Sequence, residues 1–403
     1  MYDVYEIRKD FPELALLVNG KPNTFLDTAA SALKPTAVVD KMMSFYRTRY
    51  SNVHRGAYYL SEQATAEYEK ARETVARFIN AESREIVFTR SATESINLLA
   101  ASWGMNNLKP GDEILLSEAE HHANLVPWQM VRDKTGCTLN FFSLNDDGSY
   151  NPENFYQMLT PRTKLVGVAG ISNVLGTVFP IGEIAAAAHQ NGALCLVDAC
   201  QSAVHQKIDV KDIGCDFLVF SGHKTYGPTG IGVLYGKYEL LAAMPPYQTG
   251  GDMVKSVTLQ HTEFAEPPAR FEAGTPAIAE AVGLGTALEY MSGLGLENIA
   301  AHEKALMSYA TAHLQEIPEL KIVGTAPDKG GVISFALGDI HPQDVAFVLD
   351  KEGVSIRTGH HCAEPIVNRM GYTSLARASF GLYTTNEDID RFVAALNKAK
   401  SFF

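Results

Sequence analysis

The 403-residue chain, 46% hydrophobic and 20% charged, is longer than a single core usually supports, so one large and one small domain are expected. A formal net charge of -12 argues against nucleic-acid partners, because non-specific binding needs basic residues that displace counterions from phosphate. With no apolar run near the roughly 20 residues of a membrane span, and no signal-peptide pattern in "MYDVYEIRKDFPELALL", a soluble cytoplasmic protein without membrane partners is expected.

The first clear element is "REIVFT" (Arg84 to Thr89), a short apolar run read as a buried strand. It is followed by "RSATESIN", where Ser91 and Glu94 form an S-x-x-E capping box. That offers a helix N-terminus with free amides beside the Thr93 hydroxyl, an anion site suited to a phosphate. "DEILLS" (Asp112 to Ser117) leads into "EAEHHANLVPW", and "KLVGVAG" (Lys164 to Gly170) into "ISNVLGT". "IGEIAAAAHQNG" has helical periodicity and a final glycine that stops it. "ALCLVDA" (Ala193 to Ala199) runs into "DACQSAVH", and "FLVFSG" (Phe217 to Gly222) into "SGHKTYGPTGIG".

Strand and helix in alternation predict an α/β fold with a mostly parallel sheet covered on both faces, whose ligands sit beyond the carboxyl ends of the strands. The five polar clusters therefore converge on one edge. "PAIAEAVGLGTALEYMSGLG" reads as a helix leaving that sheet, stopped by the glycines around Gly293 and Gly295, where a second domain starts. It contains "GGVISFAL" and "DVAFVLDKEGVSIR" and closes with the amphipathic "NEDIDRFVAALNKAKSFF", which places Ile389, Phe392, Val393 and Leu396 on one face.

Asp198 ends an otherwise apolar strand, and Lys224 follows another strand end after Ser221, Gly222 and His223. A buried acid and a lysine on neighbouring strands suit one ligand held between them. Pyridoxal phosphate chemistry needs this set: an amine for a Schiff base, an acid that keeps the pyridine nitrogen protonated, and an anion cradle. "GPTGIG" does not read as a P-loop, since the lysine precedes the glycines and no G-K-[ST] follows.

"SGHKTYGPTGIGVLYG", "VDACQSAVH", "EHHANLVPWQM", "FEAGTP" and "RTGHHCAEP" (Arg357 to Pro365), in order along essentially the whole chain, resemble the SufS-type (group II) cysteine desulfurases, class V enzymes of pyridoxal phosphate fold type I. The resemblance implies a large domain with a mostly parallel seven-stranded sheet, residues 17–292. It implies a smaller α+β domain, 1–16 and 293–403, that carries a catalytic cysteine loop. Lys224 corresponds to the Schiff-base lysine, Asp198 to the partner of the pyridine nitrogen, Gln201 to that of the phenolic oxygen, and His121 to the residue stacked on the ring. Thr93, Ser221 and His223 match phosphate binders, and Thr275 matches one supplied by the second subunit of a homodimer. Asn173 and Arg377, with Arg357 close by, correspond to residues that hold the substrate carboxylate. Cys362 corresponds to the nucleophile that takes sulfur from L-cysteine as a persulfide, with alanine as product. His360, His361 and Arg357 are expected to lower its pKa. A sulfur acceptor of SufE or SufU type, serving iron-sulfur cluster assembly, completes the picture.

Two positions depart from that pattern: Ala92 stands where threonine is frequent, leaving only a backbone amide for the phosphate, and Cys200 where alanine is frequent. The bland readings are packing for Cys137, Cys195, Cys200 and Cys215, and a structural role for His122, function being assigned to His121 alone. Selenocysteine lyase and cysteine sulfinate desulfinase are alternatives on the same scaffold. A metal-binding regulatory protein built on "HHC" is a further one. The five cysteines are odd in number and lack any C-x-x-C pair, which argues against disulfides or a zinc ribbon, and no metal ligand is expected.

Overall fold

Strands buried on both faces need apolar side chains throughout, and all five such runs form strands with nearly every residue buried: Ile86–Thr89, Glu113–Ser117, Thr163–Ala169, Leu194–Asp198 and Phe217–Ser221. These elements come from a computed structural model that describes residues 2–403; Met1, the first residue of the expected 1–16 segment, lies outside them. Arg84 and Glu85, expected in the first strand, instead close the helical turn Ser83–Glu85, because the Glu85 side chain caps the backbone of Glu82.

Two more strands complete a seven-stranded sheet, Thr138–Phe142 at one edge and Gly232–Gly236 inside it. The order is Ile86–Thr89, Gly232–Gly236, Phe217–Ser221, Leu194–Asp198, Thr163–Ala169, Glu113–Ser117, Thr138–Phe142. Only Gly232–Gly236 runs antiparallel to its neighbours. The loop 222–231 before it holds no crossover helix, and without one the chain can only turn back. The six remaining strands point their carboxyl ends to one edge.

The helix Ile278–Leu294 packs on helices Thr36–Thr48 and Tyr59–Phe78. It runs through Gly293 and stops at Gly295, whose φ of +87° suits a residue without a Cβ. Beyond helix Leu296–Gln315 lies a second, antiparallel sheet in the order Leu320–Val323, Val332–Leu337, Leu375–Ser379, Arg357–Gly359. Ile389, Phe392 and Leu396 of the closing helix Asn386–Phe402 are buried against this sheet, with Val393 partly so. "DVAFVLDKEGVSIR" becomes the helix Pro342–Lys351 and then Val354–Ser355, which pairs in parallel with Thr24–Phe25. This small sheet is separate from the second one, to which the N-terminal segment is tied by the Ser379 amide on the Leu26 carbonyl at 2.8 Å, an attachment strengthened by Arg8 Nη1 on Asp388 at 2.6 Å.

Ile366, Val367 and Leu375 of the second sheet region share one apolar cluster with Phe142 and Val166 of the first. That shared core sets the loop 360–363 against the carboxyl edge of the large sheet. Among the described residues no helix is long and apolar enough to cross a membrane.

Candidate active site

Where the strand ends meet the second sheet they enclose a cavity of about 180 Å³. From the large sheet it is lined by Ala92, Thr93, His121, Asn173, Asp198, Gln201, Ser221, His223 and Lys224, and from the second sheet by Arg357, Cys362 and Arg377. Of the residues expected to hold cofactor or substrate, Thr275 is the one placed elsewhere: it lines a separate cavity of about 570 Å³ with Arg90, Glu94 and Gly274, and His360, expected to tune the thiol, does not line the Lys224 cavity either. Neither the Thr275 cavity nor another of about 510 Å³ contains Lys224 or Cys362.

One end of the site is the N-terminus of helix Ala92–Leu99. Ser91 Oγ caps it by accepting from the Glu94 amide at 3.3 Å, but Glu94 reaches back to the Arg90 amide at 2.6 Å rather than to Ser91, so the expected box is only half formed. The Ala92 amide donates to Ser221 Oγ at 2.8 Å. The Ala92 amide expected for the phosphate is thus engaged with Ser221, whose hydroxyl also lies within hydrogen-bonding reach of the Cys200 thiol. Gly232 lies beneath this turn, where a Cβ would stand 2.4 Å from the Ser91 backbone. His223 is pushed down to about 4 by burial and by the charges of Lys224 and Lys34, so its ring is neutral and still carries one donor.

At the centre, Asp198 Oδ1 accepts from the Cys200 amide at 2.9 Å. The Lys224 amine has no hydrogen bond or salt bridge among the described residues, which leaves it available for a covalent bond. His121 Nδ1 accepts from the Ala123 amide at 3.0 Å, and burial together with Lys224 lowers its pKa to about 4. It is therefore the neutral tautomer with its proton on Nε2. Gln201 Nε2 gives one hydrogen to the Ala29 carbonyl at 2.9 Å and keeps the other. Burial pushes the Cys200 thiol well up, so this departure from the usual alanine adds no nucleophile to the site.

The second sheet contributes the remaining wall. Antiparallel register places Arg357 directly opposite Arg377. Arg377 is buried and contacts Asp27 at 3.3 Å, while its Nε has no partner. An orphaned buried donor is costly until a ligand accepts from it. The next residues form a tight turn in which His361 and Cys362 have φ of 52° and 57°, a left-handed conformation that costs roughly 1–2 kcal/mol per residue. It leaves Cys362 exposed and His361 buried.

His361 sends Nε2–H to the Leu375 carbonyl at 3.1 Å, and burial and Arg377 depress its pKa to about 3. It brings no positive charge to the thiol. His360 points outward, with Nδ1 3.9 Å from Glu364. Among the described residues no three His, Cys, Asp or Glu side chains are placed to hold a metal ion.

Sequence reading passed over Ala29, Ala30 and Ile171, which also line the cavity, because small and apolar residues carry no chemical signal. It passed over Asp27 and Glu120 too. The Glu120 carboxylate receives Ser117 Oγ at 2.7 Å, Asn124 Nδ2 at 2.8 Å and the Ala169 amide at 2.9 Å, yet burial still pushes its pKa up to about 7. An acid three residues after the apolar strand Glu113–Ser117 was the available clue. Taken together, a free amine, a strand-end carboxylate, a helix N-terminus and an orphaned guanidinium nitrogen in one cavity fit pyridoxal phosphate and an amino-acid substrate.

The aminotransferase class-V family matches residues 24–392. The chain is 51% identical over 401 residues to a probable cysteine desulfurase of Synechocystis sp., covering 98% of this chain and 96% of that one. It is also 51% identical over 399 residues to a cysteine desulfurase of Dickeya dadantii, covering 98% and 97%. Among solved structures, the cysteine desulfurase CsdA of Escherichia coli superposes with a TM-score of 0.93 at 38% identity over 100% of both chains.

Proposed function

The chain belongs to the aminotransferase class-V family and, within it, to the pyridoxal phosphate-dependent cysteine desulfurases, and from that premise we propose that it is of the SufS type and takes the sulfur of L-cysteine onto Cys362. The observation that carries this reading is that the one exposed cysteine lines the same cavity as Lys224 and Asp198.

In this reading Lys224 would anchor the cofactor, Asp198 would pair with its ring nitrogen and Gln201 with its phenolic oxygen, and His121 would lie beside the ring, all four lining one cavity. The phosphate would be held by the helix end at Thr93, by Ser221 and by His223, with Ala92 contributing only through the hydrogen bond of its amide to Ser221 Oγ. Bound pyridoxal phosphate withdraws electron density from the substrate Cα, so that the α-proton can leave and the bond to sulfur can break. Lys224, whose amine has no partner among the described residues, would take that proton. Arg377 and Asn173, with Arg357 nearby, fix the substrate carboxylate, a task that suits a planar guanidinium with a free Nε. Cys362 thiolate attacks the substrate sulfur: a sulfur–sulfur bond forms, the carbon–sulfur bond breaks, and the carbon keeps the electron pair and gains a proton on the way to alanine. The cysteine sulfur is oxidised and the carbon reduced, so no external redox partner is needed.

We extend the reading to a homodimer in which Thr275 serves the second subunit's phosphate, and to a SufE- or SufU-type acceptor that collects the persulfide for iron-sulfur assembly. Its support is the exposed thiol and the placement of Thr275 away from its own chain's cavity. The domain division at 17–292 against 1–16 and 293–403 is favoured by the two separate sheets, although Thr24–Phe25 pairs with Val354–Ser355 across it. Free cysteines throughout favour a cytoplasmic location.

Cys362→Ala tests the central step. It keeps the visible spectrum of the holoenzyme and its change on adding L-cysteine, but yields no persulfide and loses turnover. Full turnover of L-cysteine by that variant would remove Cys362 from the mechanism.

A further inference from the structure

The loop that carries Cys362 is fastened to the large sheet by a residue to which the proposed mechanism gives no role. Helix Glu364–Arg369 begins immediately after the loop, and its N-cap residue is Ala363, which has no side-chain acceptor for the helix's first amides. Such amides need a partner from outside the helix. The Glu364 amide donates to Nε2 of His122, at 3.1 Å. The backbone amide of the same His122 donates to the Cys362 carbonyl at 2.7 Å. His122 therefore grips the thiol-bearing turn on both sides, from a loop 240 positions away in sequence (362 minus 122).

Turn geometry shows why a grip is needed. His361 and Cys362 both sit at positive φ, and consecutive left-handed residues without glycine persist only where neighbours impose them. Asn173 Nδ2 on the His361 carbonyl, at 2.7 Å, is a second tie. The adjacent His121 faces the cofactor cavity, whereas His122 does not line it. Consecutive histidines thus divide the work between cofactor and thiol.

We propose that His122 is a positioning residue for Cys362, supplying through Nε2 the helix cap that Ala363 lacks and so holding the thiol in its left-handed turn at the cavity. This rests on the reading that Cys362 receives the sulfur. Only a ring nitrogen free of its proton can accept from Glu364, so His122 works as the tautomer with its proton on Nδ1. Glutamine is the conservative replacement, since its terminal carbonyl reaches about as far as Nε2 and accepts in the same way.

The experiment uses holoenzyme of the wild type, His122→Ala, His122→Gln and Cys362→Ala. Three quantities are read: hydrogen exchange of the Glu364 amide, the fast spectral change on mixing with L-cysteine, and the single-turnover rate of persulfide formation. In His122→Ala the Glu364 amide exchanges about tenfold faster and persulfide forms about tenfold more slowly, a change of ~1.4 kcal/mol, while the fast spectral change stays within about twofold. His122→Gln restores both quantities towards wild type, which a merely structural loss would not do. Wild-type exchange and persulfide rate in His122→Ala, or a glutamine variant no better than alanine, would overturn the proposal. Full turnover by Cys362→Ala would instead refute the assignment of the nucleophile, and the Glu364 exchange data, which need no chemistry, keep the two failures apart.

Discussion

Arg377 Nη1 donates to the backbone carbonyl of Asn173 at 2.9 Å. Asn173 in turn donates through Nδ2 to the His361 carbonyl at 2.7 Å. The two residues assigned to the substrate carboxylate are thus linked to each other and to the turn beside Cys362. Carboxylate binding and thiol placement share one hydrogen-bond chain.

Arg377→Lys tests the carboxylate assignment. Lysine keeps a positive charge but loses the planar fork and the Nε that has no protein partner. One charge-assisted hydrogen bond is worth roughly 1.5–3 kcal/mol. The expected result is a kcat/KM for L-cysteine lowered on the order of 10- to 100-fold, carried mainly by KM. Unchanged KM with lowered kcat would instead mark Arg377 as a group acting on the thiol.

Gly232→Ala probes the anion end. The new Cβ would stand 2.4 Å from the backbone of Ser91, and backbone cannot rotate aside as a side chain can. The turn before helix Ala92–Leu99 must shift, and overpacking of this kind costs about 1–3 kcal/mol. Weaker cofactor retention on dialysis is expected, with an otherwise similar spectrum at saturating pyridoxal phosphate. Undiminished retention would mean that the Ser91–Thr93 turn does not hold the phosphate.

The strand ends that carry these groups were legible because each of five apolar runs is followed by a polar cluster, and along the sheet those ends fall in the order Ser91, Lys224, Asp198, Asn173 and His121. Two strands of the large sheet were not. "TLNFF" at Thr138–Phe142 is an edge strand with exposed positions and lacks the continuous apolar signature. "GVLYG" at Gly232–Gly236 follows a glycine-rich loop and looks like its continuation. Relations across the fold were invisible for a different reason. Nothing in the spacing of Arg357 and Arg377 shows that antiparallel pairing sets them face to face. Likewise, the fate of His361 depends on a carbonyl, Leu375, that carries no sequence signal.

Glu120 gives the pH dependence. Its carboxyl sits at about 7 in the fold against 4.5 when unperturbed. Below about pH 4.5 it is protonated in folded and unfolded chains alike. As pH rises, the unfolded chain releases its proton first, so the stability due to this group falls between 4.5 and 7 and levels off above. The fall is on the order of 3 kcal/mol. Glu120→Gln removes the titration, though its new amide must also face Asn124 Nδ2 and lowers stability at every pH. Urea unfolding of the two holoenzymes from pH 5 to pH 8 should show the wild type losing stability relative to the variant as pH rises. Parallel curves would place the Glu120 pKa in the ordinary range.

Thr275 allows the dimer reading to be tested without a structure of the assembly. Within one chain it lines a cavity separate from Lys224, so its expected part in phosphate binding requires a second subunit. Thr275→Ala then weakens cofactor binding at both sites of its homodimer, by the 0.5–1.5 kcal/mol typical of one hydrogen bond or somewhat more because the acceptor is charged. Lys224→Ala abolishes turnover at both of its own sites. In a hybrid of the two, one site combines the intact Lys224 of the first chain with the intact Thr275 of the second, and the other site lacks both. When the two chains are co-expressed with different affinity tags and the hybrid is isolated, it should turn over with wild-type cofactor affinity at half the sites. If Thr275 instead acts on its own chain's cavity, the only site with Lys224 also carries the alanine, and the hybrid retains the weakened affinity of Thr275→Ala. The cofactor concentration needed for half-maximal activity distinguishes the two arrangements directly.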